Sequence, residues 1–299
     1  MTTQVAQRQD IYSRITDKVI AGLQDKGLKW FKPWTDGSGS INPINHVSGK
    51  PYRGINIMLL SAAMHDGEYT YNEWCTYKQA AAKGGQVRKG EKSTQIIFWV
   101  VSFYHRDTQK WYSEAQLKKA KIKRSECDER WTIRGYNVFN IAQCDGLTPH
   151  TTAPVEAPKG KIEQPRLTYE GMPEVKWGGN HACYRPSRDI IEMPNCDQFK
   201  SNEACAMTLY HEMIHSTGAE HRLNRKAVTD FDGFGSDRYA QEELVAEIGA
   251  QFLMALTSAE APEQSQAYIN GWVKQLTDHP KMVVFAAQQA TQATEYIIK

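Results

Sequence analysis

Several absences narrow what this chain can be. No apolar run in its 299 residues approaches the roughly 20 needed to span a bilayer, so a membrane-spanning helix is not expected. The opening Met-Thr-Thr-Gln-Val-Ala-Gln is polar and has no signal-peptide core. The six cysteines, at 75, 127, 144, 183, 196 and 205, include no Cys-x-x-Cys pair. They read as reduced thiols of a soluble, cytoplasmic protein without a membrane partner, rather than as a disulfide framework. No helix-turn-helix or zinc-finger pattern is present, which disfavours sequence-specific reading of duplex DNA. The one glycine-rich basic loop lacks the Gly-Lys-Ser/Thr ending of a Walker nucleotide loop.

What is present is unevenly distributed. Residues 1–150 carry 22 Lys+Arg against 14 Asp+Glu, a net of +8, whereas residues 151–299 carry 14 against 20, a net of −6; together they give the formal +2 of the whole chain. Electrostatically opposite halves suggest a polyanionic partner for the first half alone. Six of the eight tryptophans (30, 34, 74, 99, 111 and 131) also lie in that half. Such a surplus suits a surface on which the bases of single-stranded nucleic acid stack. The expected binding mode is weakly sequence-dependent and steeply weakened by salt.

Ile11, Ile15, Val19 and Leu23 recur every four residues and predict an amphipathic helix over residues 8–24. Leu-Lys-Trp-Phe-Lys-Pro-Trp follows, offering Trp30 and Trp34 as stacking candidates or, equally, as a plug between helix and sheet. Tyr52 and Arg53, in a turn before an apolar helix, are candidate nucleic-acid contacts. Trp74 to Ala82 reads as a short helix carrying the further candidates Trp74 and Lys78. The loop from Lys83 to Ser93 adds Arg88, Lys89 and Lys92, with glycines that permit close backbone approach to phosphates. Thr94 to Phe103 and Trp131 to Ile141 read as strands, and Lys110 to Tyr112 as a partner. The lysine-rich run between Glu114 and Arg130 is expected as a solvated excursion. Four prolines in residues 147–166 mark a semi-extended linker. The division expected is thus 1–146, an α+β domain for single-stranded DNA with a small antiparallel sheet; 147–166, a linker permitting relative motion; and 167–299, a mainly helical domain with a β-hairpin flanking Arg185 to Arg188.

The second half contains His211, Glu212 and His215, a His-Glu-x-x-His pattern. Two histidines four apart on a helix share a face and can reach one divalent ion while the intervening glutamate faces its water. A shuffled chain of this composition contains the pattern with a chance of roughly 0.02, so context matters. Ser201 as N-cap, Glu203 in the first turn, apolar Met207, Leu209 and Ile214, and Gly218 at the end independently predict a helix. Three protein ligands are usual for catalytic zinc. His221 completes His-Glu-x-x-His-x-x-Gly-x-x-His, the metzincin pattern, but that class also needs a methionine turn, and Met254 and Met282 both lie in helix-like sequence. Glu243 is preferred as third ligand, with Glu247, four residues on, expected to orient a ligating histidine. Glu242 projects about 100° away and is a weaker rival. Glu212 is the candidate general base, and Tyr239 and Arg222 are candidates for stabilising an oxyanion.

The run from His211 through Arg225, with Tyr239 to Glu247, resembles the zincin-type metallopeptidase domain of the ArdC antirestriction family of conjugative plasmids, and the first half resembles that family's single-stranded-DNA-binding domain, shared with some plasmid primases. The resemblance spans nearly the whole chain. It implies a zinc-dependent, gluzincin-like site (Mn2+ or Co2+ being alternatives), a plasmid-borne protein that shields entering DNA from host restriction, and an unidentified protein substrate, such as a component of the restriction system. The competing expectations are a strand-coating or chaperone-like protein with a structural metal, and a regulatory protease for which DNA is only the address.

Overall fold

The computed structural model describes residues 10–31, 42–150, 167–230, 237–257 and 262–299. Helix α1 (Ile11–Lys26) begins where Asp10 accepts a hydrogen bond from the Tyr12 amide, and buries Ile15, Val19 and Leu23. It stops at Gly27, whose φ of 59° lies in the left-handed region that glycine enters without a Cβ clash. The tight turn after it, Gly27–Phe31, buries Leu28, Trp30 and Phe31.

The first half then runs through β1 (Ile44–Asn45), α2 (Ile55–Asp66), β2 (Glu73–Cys75), α3 (Tyr77–Ala82), β3 (Gln86–Val87), β4 (Thr94–His105), β5 (Lys110–Tyr112), α4 (Glu114–Ala120), β6 (Cys127–Asn140) and β7 (Cys144–Asp145). The helix expected from Trp74 starts only at Tyr77. Thr76 and Gln79 form a capping box there, and the residues before it join the sheet. The lysine-rich excursion is likewise partly ordered, as α4 anchors on buried Leu117. Five strands order as β1-β2-β6-β4-β5, with β1 and β2 parallel and the remaining pairs antiparallel. The β4–β6 ladder is the longest, running from Thr94↔Val138 to His105↔Cys127. β3 and β7 form a separate small ribbon.

The second half comprises β8 (Glu174–Trp177), β9 (Cys183–Arg185), β10 (Ile190–Met193), α5 (Asn202–Ser216), α6 (Lys226–Thr229), α7 (Asp237–Leu256), α8 (Gln266–Asp278) and α9 (Met282–Ile297). The expected hairpin β9–β10 is present, and β8, not anticipated, pairs in parallel on its far side, leaving β9 at an edge. Ser201 caps α5 by accepting from the Ala204 amide. Helices α5 and α7 cross closely because Gly249 has no side chain: a Cβ there would come within 2.6 Å of the Ile214 side chain.

The architecture is α+β, with a mainly antiparallel five-stranded sheet in the first half and a mainly helical second half that carries the hairpin, as expected. Two expectations fail. Free relative motion is opposed by the core: Ile15, Leu28 and Ile57 from the first half share one apolar cluster with Ile214, Leu253 and Ala290 from the second. Separating the halves would expose that surface at roughly 25 cal/mol per Å². Nor are all cysteines reduced thiols. Cys196 and Cys205 are disulfide-bonded across the turn that leads into α5, which brings their Cα atoms to 5.4 Å. Cys75, Cys127, Cys144 and Cys183 are free. The spacing of nine residues gave no motif to read, and the bonded pair removes the cysteines as an argument for a reducing compartment. Among the described residues no helix is long and apolar enough to cross a membrane.

Candidate metal centre

The face that α5 turns towards α7 carries His211 and His215, one helical turn apart, with their Nε2 atoms 3.1 Å from each other. Glu243 on α7 meets both: its Oε2 lies 3.4 Å from His211 Nε2 and its Oε1 3.6 Å from His215 Nε2. One ligand atom from each of the three lies within 4.8 Å of the others. Two imidazoles and a carboxylate around one point suit a divalent transition ion.

The opposite ring edges are also engaged. His215 Nδ1 lies 3.2 Å from Glu242 Oε1, and Glu242 is gripped in turn by Arg225 at 2.7 to 3.2 Å. His211 Nδ1 lies 3.7 Å from Glu247 Oε1, to which the Tyr268 hydroxyl donates a hydrogen bond. Partners of this kind orient imidazole lone pairs towards a shared ion. The 100° offset that made Glu242 a poor third ligand is what lets it reach the other histidine. The sequence argument assigned such a role to Glu247 and missed it for Glu242 and Arg225. The available signal was the pairing of two ligand histidines with two glutamates that flank Glu243.

The field at this point favours positive charge. Burial alone would depress His211, but the hydrogen bond to Glu243 and the charges of Glu247 and Glu212 outweigh it and hold the imidazole at about 9. Burial would raise Glu243, yet its contacts with the two histidines and with Tyr239 bring it down to about 2. A pocket that stabilises a proton so firmly also stabilises a cation that replaces it.

Glu212 is buried, and its Oε2 accepts a hydrogen bond of 2.7 Å from the Tyr184 amide on the β9 edge. Burial first, and then the neighbouring Glu243, pushes the Tyr239 hydroxyl up to about 12, so it stays protonated beside the cluster. Arg222 does not serve as an oxyanion partner. Its guanidinium is committed to Asp189, with two contacts of 2.8 Å, and to backbone carbonyls of Gly171 and Ser216. His221 is 63% exposed and lies 3.4 Å from Asp189 rather than beside the two histidines.

The nucleic-acid candidates fare less well. Trp30 packs over Gly22, where an added Cβ would come within 2.1 Å of its ring, and Trp74 is 0% exposed. Tyr52 is buried, and its hydroxyl oxygen accepts a hydrogen bond of 3.1 Å from the Asn45 side-chain amide. These three rings therefore cannot stack on bases as expected; each fills the core its half requires. Trp34 lies outside the described residues. Arg53 is ion-paired at 3.1 Å to Glu295 of α9, and Arg88 to Glu91 and Asp145. Lys78, Lys89 and Lys92 are exposed, and Lys89 borders a cavity of about 500 Å³ with Tyr77, Gln86, Arg88 and Phe139.

The sheet supplies the aromatic surface instead. Strand alternation places Phe98 and Tyr104 of β4, Arg130, Thr132, Arg134 and Tyr136 of β6, and Trp111 of β5 on one face. Near Ile96 and Val138 this face is covered by Leu60 and Met64 of α2; from Phe98 onward it is open. Phe98 is 44% and Trp111 50% exposed, with Phe98 5.5 Å from Tyr136 and Tyr104 5.3 Å from Trp111 between ring centroids. A cleft of about 280 Å³ at its edge is lined by Asn45, Lys50, Tyr52, Gln79, Phe98 and Tyr136. Period-two alternation of aromatic and basic residues in β6 was the readable signal.

Comparison with known proteins supports both halves. A family model described as the N-terminal domain of anti-restriction factor ArdC matches residues 9–139, and one described as a zincin-like metallopeptidase matches residues 166–289. The y4eC protein of Sinorhizobium fredii is 36% identical over 293 residues, spanning 96% of this chain and 91% of that one. The DNA primase TraC of Escherichia coli is 34% identical over 297 residues, but this chain spans only 27% of it. The antirestriction ArdC protein of plasmid R388, solved metal-free and with Mn(II), superposes with a TM-score of 0.70 at 30% identity over 97% of both chains.

Proposed function

Because the chain belongs to the ArdC antirestriction family, we propose that it shields incoming DNA from restriction through two separate devices: an open aromatic face that binds single-stranded DNA, and a metallopeptidase-like centre at His211, Glu212, His215 and Glu243. The observation that carries the second device is the convergence of three ligand atoms from α5 and α7 next to a buried carboxylate fixed by a backbone amide.

A divalent cation at this point, zinc or a stand-in such as manganese, supplies Lewis acidity that acidifies a water and polarises a carbonyl. Glu212 takes the water's proton and passes it to the leaving amine. Its Oε2 is already held by the Tyr184 amide, which leaves Oε1 for that transfer. The Tyr239 hydroxyl, kept protonated and hydrogen-bonded to Glu243, is the donor we assign to developing negative charge on an acyl oxygen, to which it would turn from Glu243. Among the described residues no strand pairs with the outer edge of β9, which lies beside Glu212, so an extended peptide added along it would pass the centre. A protein substrate, for example a part of the restriction machinery, fits this geometry.

For the first device, Phe98, Tyr136, Tyr104 and Trp111 provide π-faces and Arg130 and Arg134 phosphate partners on the same side of the sheet. Stacking contributes about 1–3 kcal/mol per base regardless of sequence.

The test is Glu212→Gln, which removes the proton acceptor and leaves the three ligands. It is expected to keep metal and single-strand affinity and to lose protection of entering DNA from restriction in recipient cells. Full protection with metal still bound would overturn the enzymatic half and leave a strand-coating protein whose ion braces α5 against α7.

A further inference from the structure

A second set of metal-type ligands lies in the first half, far from the His-Glu-x-x-His helix in sequence. β1 is the outermost strand of the large sheet, and the register Ile44↔Glu73 continues beyond it as the His46 amide donates to the Trp74 carbonyl at 2.9 Å. That pairing sets the His46 ring beside Glu73, and His46 Nδ1 lies 2.7 Å from Glu73 Oε2. The chain returns 77 residues later to place His150 Nδ1 3.0 Å from the same oxygen. The two imidazoles face each other with centroids 4.4 Å apart, and one ligand atom from each of the three residues lies within 4.8 Å of the others.

We propose that His46, Glu73 and His150 form a second divalent-cation site, independent of the peptidase-like centre and of the function assigned to it. Three features support it. The donor set, two imidazoles and one carboxylate, is that of the first centre, and favours zinc and its first-row neighbours over magnesium or calcium. The carboxylate is aimed: the His150 amide donates to Glu73 Oε1 at 2.8 Å, which fixes the group and turns Oε2 towards both Nδ1 atoms. The site is buried on one side and open on the other, since Glu73 is 1% exposed in its side chain and His150 58%. An ion can therefore enter past His150 and retain a solvent ligand, while the desolvated carboxylate strengthens its hold.

To bind an ion through Nδ1, each ring would carry its hydrogen on Nε2 and present the Nδ1 lone pair beside Glu73 Oε2. The ion would tie His150, which follows the short β7 ribbon, to the sheet edge. Glu73 joins segments 27 and 77 residues distant, so the tie would close two long loops.

The experiment counts zinc in the full-length chain, by elemental analysis after gel filtration and by calorimetric titration of the metal-stripped protein. Two ions per chain are expected, one in His150→Ala, one in Glu243→Ala and none in the double variant. His150 is exposed, so its replacement leaves the fold in place, and circular dichroism checks this. One ion that His150→Ala retains and Glu243→Ala loses would overturn the second site and leave the first standing. Two ions unaffected by His150→Ala would overturn it too, as would no zinc at all. With Co(II) in the Glu243→Ala background, two paramagnetically shifted ring N–H signals are expected, lost on adding His150→Ala; their absence from the Glu243→Ala protein also rejects the assignment.

Discussion

The α5–α7 crossing and the β4–β6 sheet place functional groups in opposite environments. Between the helices the groups around the centre have partners behind them: His211 has Glu247, His215 has Glu242, and Glu242 has Arg225. On the sheet Phe98, Tyr136 and Trp111 stand exposed, Phe98 between the rings of Tyr52 and Tyr136 and Trp111 beside Tyr104. Buried charges are tolerated only when paired, so a metal centre needs a fixed shell and is specified residue by residue. A base-stacking face needs only ring area and nearby positive charge, which many arrangements provide.

The largest effect expected from this contrast is that of Glu243→Ala. Removing a ligand should weaken zinc binding by more than the roughly 10–100-fold typical of losing a supporting partner. Single-strand affinity, followed by fluorescence anisotropy, should stay within about twofold. A parallel fall in DNA binding would break the separation, and would show that the shared core around Ile57 and Ala290 couples the two regions.

Glu242→Ala sharpens the same contrast from the supporting layer. Zinc affinity should fall about 10–100-fold as His215 loses its orienting acceptor. The Arg225 guanidinium is then left buried without its carboxylate, so unfolding by urea should show a loss of about 3–5 kcal/mol. On the sheet, Phe98→Ala with Tyr136→Ala should cost about 1–3 kcal/mol of strand binding per stacked base, tenfold for each 1.4 kcal/mol, while stability and metal content hold. If strand binding survives that pair of changes, the open face is not where DNA sits, and the Lys78, Lys89 and Lys92 side becomes the place to look.

How much of this was legible follows the same division. His211, Glu212 and His215 could be read because a fixed spacing on a helix has one geometric outcome, and Ser201 announced that helix. Glu243 could be argued because metal chemistry demands a third ligand. The role of Arg225 could not, since nothing local in a loop shows that a side chain will reach α7, seventeen residues further on. Trp30 and Trp74 misled for a complementary reason. A tryptophan near lysines looks the same in sequence whether its ring meets a base or fills a core, and the packing of Trp30 over Gly22 and of Trp74 in a cluster with Met64 and Val138 decided for the core. Phe98 and Tyr136 were within reach of a period-two reading of β4 and β6, once the strands were allowed one covered and one open face. Glu73 stands just before the segment read as a helix and opens a three-residue strand instead, so nothing local announced it as the meeting point of His46 and His150.

The smallest expected effect tests the most literal motif in the chain. His221 completes the metzincin pattern, yet it lies by Asp189, an exposed contact of a kind that contributes at most about 1 kcal/mol. Asp189 is held below its ordinary 3.8 chiefly by the hydrogen bonds of Arg222, against the opposing effect of burial, with Tyr184 adding to it and His221 a minor contributor. A carboxylate depressed in the folded state stabilises fully above its unfolded value and loses that contribution as pH falls through the folded one. His221→Ala should therefore leave zinc affinity within about twofold and leave acid unfolding below pH 4 almost where it was, whereas Arg222→Met should move the acid transition to higher pH. A large loss of zinc in His221→Ala would mean that the loop after α5 closes over the ion and that Glu243 is not the third ligand.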